Sequence, residues 1–208
     1  MPRKARIDAP GALHHIIVRG IEKKPIFKDS QDYENFLLRL GTILTETATP
    51  CYAWALLGNH LHLLLRTGRS PITTVMRRLL TGYAQQFNRR HRRHGYLFQN
   101  RYKSFLCETE PYLLELVRYI HLNPIRAGRV KDMDALDRYP KAGHAVIMGA
   151  TEHTWQDTDT VLALFGDKRS SARRAYRSFV RKGLLQGMLA ASKPPSYPAM
   201  SWPSNPAS

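Results

Sequence analysis

Two short apolar runs, Cys51 to Leu57 and Leu61 to Arg66, are joined through Gly58-Asn59. A Gly-Asn joint between runs of this type is a hairpin signature, and it commits this stretch of chain to an antiparallel sheet. Leu13 to Arg19 reads as an earlier strand ended by Gly20. Asp29 or Ser30 caps a helix to about Thr47, in which Tyr33, Phe36, Leu37, Leu40 and Leu44 recur at helical spacing. Pro71 opens a second helix to about Arg90, apolar on the side of Ile72, Val75, Met76, Leu79, Leu80, Tyr83 and Phe87. Tyr102 to Cys107 reads as a fourth strand, and Thr109 caps a third helix that ends near Asn123-Pro124. Strand, helix, hairpin, helix, strand is the order of an α+β, ferredoxin-like antiparallel sheet with helices on one face. The third helix is extra, and it can deliver side chains to the open face.

After Val130 the pattern changes, which divides the chain into a main unit at 1–131, a small helical extension at 132–190 and a Pro-rich tail at 191–208. Residues 131–156 read as irregular. Asp157 caps a short helix, Thr158 to Phe165, ended by Gly166. A last helix from about Ser171 sets Ala172, Ala175, Tyr176, Phe179 and Val180 on one side and Arg173, Arg174, Arg177, Arg181 and Lys182 on the other. That basic face suits a DNA contact and a solvated surface equally. The tail is expected to be disordered.

Charge narrows the partners. The 208 residues carry a net +16, with 43% hydrophobic residues to build a core. No Asp or Glu occurs from Thr47 to Cys107, whereas Arg66, Arg69, Arg77, Arg78, Arg89, Arg90, Arg92, Arg93, Arg101 and Lys103 all fall there. An acid-free basic stretch fits a surface laid against phosphate. With Arg19 on the first strand, these residues apart from Arg69 form the candidate DNA contacts, and Tyr83, Phe87, Tyr96, Phe98 and Tyr102 are interleaved with them. Cys51 and Cys107 share no metal-ligand spacing and read as reduced thiols. The charged N-terminus has no apolar stretch behind it, and no run reaches the length of a membrane helix, so a cytoplasmic protein without a membrane partner is expected.

The chemistry centres on His60-Leu61-His62. Side chains two apart on a strand face the same way, so both imidazoles project from one face while Leu61, Leu63 and Leu65 enter the core. Two adjacent imidazoles can hold one metal ion, though His-x-His pairs also occur as structural or solvated residues. On the third helix Tyr119 and Asn123 stand four apart and share a face. If that face lies over the histidines, a hydroxyl and an amide oxygen arrive together. The same pair also suits a half-buried aromatic and a helix-end residue before Pro124.

Taken together, RGIEKKPIF, GNHLHLLLR, LFQNRYKSF and VRYIHLNPIRAG resemble the single-tyrosine transposases of the HUH nuclease superfamily (IS200-like transposases), above all the repeat-associated tyrosine transposases, over roughly residues 8–131. The resemblance implies that His60 and His62 are metal ligands and Tyr119 the nucleophile. Asn123 stands where relatives have a glutamine as third ligand. The implied metal is Mg²⁺ or Mn²⁺, and the implied partner is single-stranded or hairpin-forming repeat DNA, taken by a monomer or a homodimer. Tyr102 and Tyr112 are rival nucleophiles by chemistry but do not match the family position.

A free tyrosine has a pKa near 10, so only about one in a thousand is ionised at neutral pH. A cation beside it would neutralise the developing charge of an attacked phosphate. The expectation is a metal-dependent single-stranded DNA endonuclease and strand transferase that works through a 5′-phosphotyrosine. A non-catalytic DNA-binding regulator that keeps the fold is the alternative. A hydrolytic His-x-His metalloenzyme is disfavoured, because the carboxylate ligands such sites add are missing near the motif.

Overall fold

The computed structural model describes residues 9–107 and 111–189. Four strands, β1 (Leu13–Arg19), β2 (Cys51–Leu57), β3 (His60–Arg66) and β4 (Lys103–Cys107), form one antiparallel sheet in the order β2-β3-β1-β4. This is the ferredoxin-like order that the succession of elements predicts. Helices α1 (Ser30–Glu46) and α2 (Ile72–Arg90) cover one face. Asp29 caps α1 by accepting from the Asp32 N–H at 3.1 Å. Phe36, Leu40, Val75, Met76, Leu79, Tyr83 and Phe87 pack there against Ile16, Val18, Trp54, Leu56, Leu61, Leu63 and Leu65.

Helix α3 (Pro111–Arg126) crosses the opposite face. Its Leu113, Leu116, Val117 and Ile120 share a core with Leu13, Ala53, Ala55 and Leu64 of the sheet. Each such burial is worth about 1.5–3 kcal/mol, and the small Ala53 and Ala55 let the helix lie close. Helix α3 runs past its expected end, with Pro124 inside it. Because proline has no N–H, the carbonyl four residues back loses its donor. The Asn123 amide replaces it, donating from Nδ2 to the Tyr119 oxygen at 2.9 Å and to the Ile120 oxygen at 3.4 Å.

The segment after α3 is more regular than its sequence suggests. It forms α4 (Met133–Asp137), α5 (Gly143–Met148), α6 (Thr158–Ala163) and α7 (Arg169–Leu189). Helices as short as α4 and α5 span too few turns to show a hydrophobic period. Asp132 and Asp157 cap α4 and α6 through Ala135 and Thr160. Met133, Leu136, Ile147, Val161, Ala172 and Tyr176 join the α3 core directly. Two bridges, Ala55 to Ala142 and Cys51 to Gln156, cover the outer edge of β2, which would otherwise be open to pairing with another chain. Both faces and this edge are thereby covered, so every residue of β2 is buried. The expected Thr109 cap and the Pro-rich tail lie outside the described residues.

A buried polar chain runs from the extension to α3. The Asp137 Oδ1 pairs with His144 Nε2 at 2.8 Å, His144 Nδ1 with the Tyr176 hydroxyl at 2.9 Å, and that hydroxyl with His121 Nδ1 at 2.7 Å. Arg177 closes the outer end on Asp137 at 2.6 Å.

Candidate active site

Residues directly opposite in an antiparallel pair share a face. The register sets Arg19 against His60 and Ile17 against His62, and on the other side of β1 it sets Ile17 against Lys103 and His15 against Phe105. Arg19, His60, His62, His15, Lys103 and Phe105 therefore project from the face on which α3 lies, while Leu61, Leu63 and Leu65 enter the α1/α2 core.

The two motif histidines stand with ring centroids 5.4 Å apart and planes at 76°. The Tyr119 ring meets His62 edge-on at 5.9 Å and His15 at 5.9 Å. All three residues belong to one chain. Asn123, one turn further along α3, is 9% exposed. Its amide nitrogen is engaged with the backbone, so its oxygen is the atom with which it could reach a cation.

Electrostatics keep the imidazoles neutral. Burial pushes His60 down to about 4, helped by the positive charges of Arg19 and Arg129. Burial, then His15, His60 and Arg19, hold His62 well below the ordinary histidine range. Burial alone lowers His15 to about 4. Neutral imidazole is the form that binds a metal. Each motif ring has its Nδ1 engaged, His60 with Asn59 Oδ1 at 2.7 Å and His62 with His15 Nε2 at 3.0 Å. Neither Nε2 atom has a partner among the described residues, and the two rings together suit one divalent cation.

The guanidinium of Arg126 stands 5.2 Å from the Tyr119 ring centroid. No carboxylate pairs with it among the described residues. Arg126, Arg129, His15 and Asn59 escaped the sequence reading. The alternation on β1 separates His14 from His15 but does not say which of them joins His62.

The remaining candidate cations divide between places. Arg77, Arg78, Arg89 and Arg90 lie on α2, behind the sheet. Arg78 pairs there with Glu46, and Arg90 pairs with Asp29 at 2.8 Å and Asp32 at 2.7 Å. Arg93 holds its own loop through Asn88 at 3.1 Å and the Tyr96 carbonyl at 2.9 Å, and Arg92 is exposed beside it. Arg101 is exposed in a bend before β4, which begins at Lys103 rather than Tyr102. Arg66 donates to the Tyr52 hydroxyl at 2.8 Å. On α7, Arg173 donates to the Ile147 carbonyl at 2.8 Å and Arg177 pairs with Asp137, so part of that basic face is internal. Among the interleaved aromatics, Tyr83, Phe87 and Tyr102 are buried in the α1/α2 core, whereas Tyr96 is 83% exposed.

Asp29, Asp32 and His91 form the one three-residue cluster of His, Cys, Asp or Glu close enough to share a metal among the described residues. The Arg90 guanidinium already bridges both carboxylates, so a cation occupies that position. The cluster ties the start of α1 to the end of α2, away from Tyr119.

No protein-family model and no curated protein matches the chain. Among solved structures, the chain is similar to a REP-associated tyrosine transposase bound to a REP hairpin, at 15% identity and a TM-score of 0.58 over 76% of this chain and 98% of that one. A looser likeness, with a TM-score of 0.40 and 18% identity, links 57% of this chain to 95% of a candidate transposase from Deinococcus radiodurans R1. The first likeness establishes a shared fold. Among the described residues, no helix is long and apolar enough to cross a membrane.

Proposed function

We propose that this chain is a tyrosine transposase of the HUH type, which nicks and rejoins single-stranded, hairpin-forming DNA. One observation carries this reading: the Tyr119 ring lies 5.9 Å from His62 on the face where His60 stands beside it. A structural aromatic has no need of two neutral imidazoles beside it, nor of a guanidinium over its ring that pairs with no carboxylate among the described residues.

His60 and His62 would hold a divalent cation, Mg²⁺ or Mn²⁺, with the Asn123 oxygen as the third ligand. Bound there, the cation would supply Lewis-acid polarisation of a phosphate oxygen. Tyr119 attacks the scissile phosphorus through its phenol oxygen. The new O–P bond forms as the P–O3′ bond breaks, and the phenol proton ends on the departing 3′-oxygen. The product is a 5′-phosphotyrosine and a free 3′-hydroxyl. Reversal with a different 3′-hydroxyl joins strands without a nucleotide cofactor. Arg126 faces the ring of the nucleophile, where its charge opposes the repulsion between phenol oxygen and phosphate. Arg19, Lys103 and Arg129 add positive charge on the same side, which suits a DNA backbone.

The test is incubation with single-stranded hairpin DNA from beside the gene, with Mn²⁺, followed by a denaturing gel. A covalent adduct that disappears on chelation and in Tyr119→Phe supports the enzyme. DNA binding that is indifferent to Mn²⁺, with no adduct under any metal, hands the chain to the regulator reading.

A further inference from the structure

The turn before His60 contains a chain of hydrogen bonds that can run in only one direction. Asn59 donates from Nδ2 to the Lys23 carbonyl at 3.0 Å. A carbonyl only accepts, so the amide nitrogen must face it and Oδ1 must face the other way. Oδ1 lies 2.7 Å from His60 Nδ1. An amide oxygen also only accepts, so His60 must carry its proton on Nδ1, which leaves the lone pair on Nε2. The Lys23 carbonyl lies in the turn after β1, where the Lys23 N–H donates to the Gly20 carbonyl at 3.1 Å and the Lys24 N–H to the Ile21 carbonyl at 2.8 Å. His62 has a ring partner of its own: His15, fully buried on the neighbouring strand, reaches its Nδ1 through Nε2 at 3.0 Å.

The geometry points to Asn59 as a positioning residue that holds His60 in the Nδ1–H tautomer and so aims its Nε2 lone pair at a cation, with His15 orienting the His62 ring through its Nδ1. This rests on the proposed metal role of His60 and His62. Metal-bound histidines commonly donate their second N–H to such an outer partner, and losing the partner lowers metal affinity by about 10–100-fold. Asn59 does more than orient a ring. It joins the metal-side hairpin to the 21–23 turn, so a shift of that turn alters the His60 donor.

The experiment has two readouts on the full chain. In metal-free protein, two-bond ¹H–¹⁵N imidazole spectra are expected to show His60 as the Nδ1–H tautomer, and Asn59→Ala to move it toward the Nε2–H form. Mn²⁺ titration followed by EPR is expected to show affinity falling about 10–100-fold in Asn59→Ala and in His15→Phe. Asn59→Asp keeps the acceptor and is expected to retain affinity. Thermal melts identify variants that fail to fold, and Asn59→Leu, which also removes the acceptor, stands in if Asn59→Ala does. A His60 found as Nε2–H in the parent chain, or Mn²⁺ affinity unchanged in both Asn59→Ala and His15→Phe, overturns the inference while metal binding stands. So does equal loss in Asn59→Ala and Asn59→Asp, which would assign the effect to the Lys23 contact. If His60→Ala and His62→Ala bind Mn²⁺ as the parent does, the metal reading falls and this inference falls with it.

Discussion

The ring of Tyr119 on α3 meets the ring of His62 on β3 at 5.9 Å and nearly at right angles, within a single chain. A partner subunit is not needed to bring the proposed nucleophile to the imidazoles. Tyr119→Phe is expected to bind hairpin DNA as the parent does and to form no adduct. Tyr112→Phe, two turns earlier on α3, and Tyr102→Phe, in the opposite core, should retain it. A gel of denatured reaction mixtures decides, and an adduct that survives Tyr119→Phe assigns the chemistry elsewhere.

The proposed metal site and the Asp29–Asp32–His91 cluster make opposite predictions. His60→Ala and His62→Ala should abolish both Mn²⁺ binding and adduct formation. Asp29→Ala should change neither, because Arg90 already neutralises that cluster. Calorimetric Mn²⁺ titration of the variants separates the two sites.

Tyr176 bridges two buried histidines. Its hydroxyl lies 2.7 Å from His121 on α3 and 2.9 Å from His144 on α5. Tyr176→Phe leaves both ring nitrogens without that partner, which should cost about 1–3 kcal/mol of stability. Urea denaturation measures the loss. Because His121 lies between Tyr119 and Asn123 on α3, the same variant should also slow adduct formation.

Acid should weaken the fold in a defined window. Burial lowers His144 below the ordinary histidine value of 6.5, although Asp137 pulls the other way and Arg177 adds to the lowering. A lowered folded pKa means that the unfolded chain binds more protons below about pH 6.5. The stability is therefore present above that pH and is lost as pH falls toward the folded value. The urea midpoint is expected to drop between pH 7.5 and pH 5, and to drop less in His144→Gln.

DNA affinity should follow the face on which a cation stands. Arg126→Ala removes a guanidinium from beside the Tyr119 ring. If it contacts phosphate, a charged hydrogen bond worth about 1.5–3 kcal/mol is lost, roughly tenfold or more in affinity, and the salt slope falls by about 0.7 for a single strand. Arg78→Ala, whose partner is Glu46 on the far face, should leave both unchanged. Binding isotherms at several salt concentrations distinguish them.

Much of this arrangement was legible along the chain. The Asp29 cap, the period of α2, and the alternation that sends Leu61 and Leu63 one way and His60 and His62 the other follow from local rules of backbone geometry. The positions of α4 and α5 did not follow, since helices of that length carry no usable period. Nor did the division of the basic residues. Arg78 and Arg90 look like DNA contacts in a stretch with no acids, but their carboxylate partners come from α1, far away in sequence.

The sequence by itself determined that strands and helices would alternate in this order, and that two imidazoles would share a face and a tyrosine and an asparagine would share a helix side. Each of those facts depends on neighbours within a few residues, where helical and strand periods act. Only the tertiary structure decided that α3 crosses the histidine face, and that it is His15 rather than His14 that touches His62. It also decided that the Arg126 guanidinium stands over the Tyr119 ring. Strand register and helix docking are settled by contacts between distant parts of the chain, such as Ile120 against the sheet and Tyr176 against His121, and no local period encodes them.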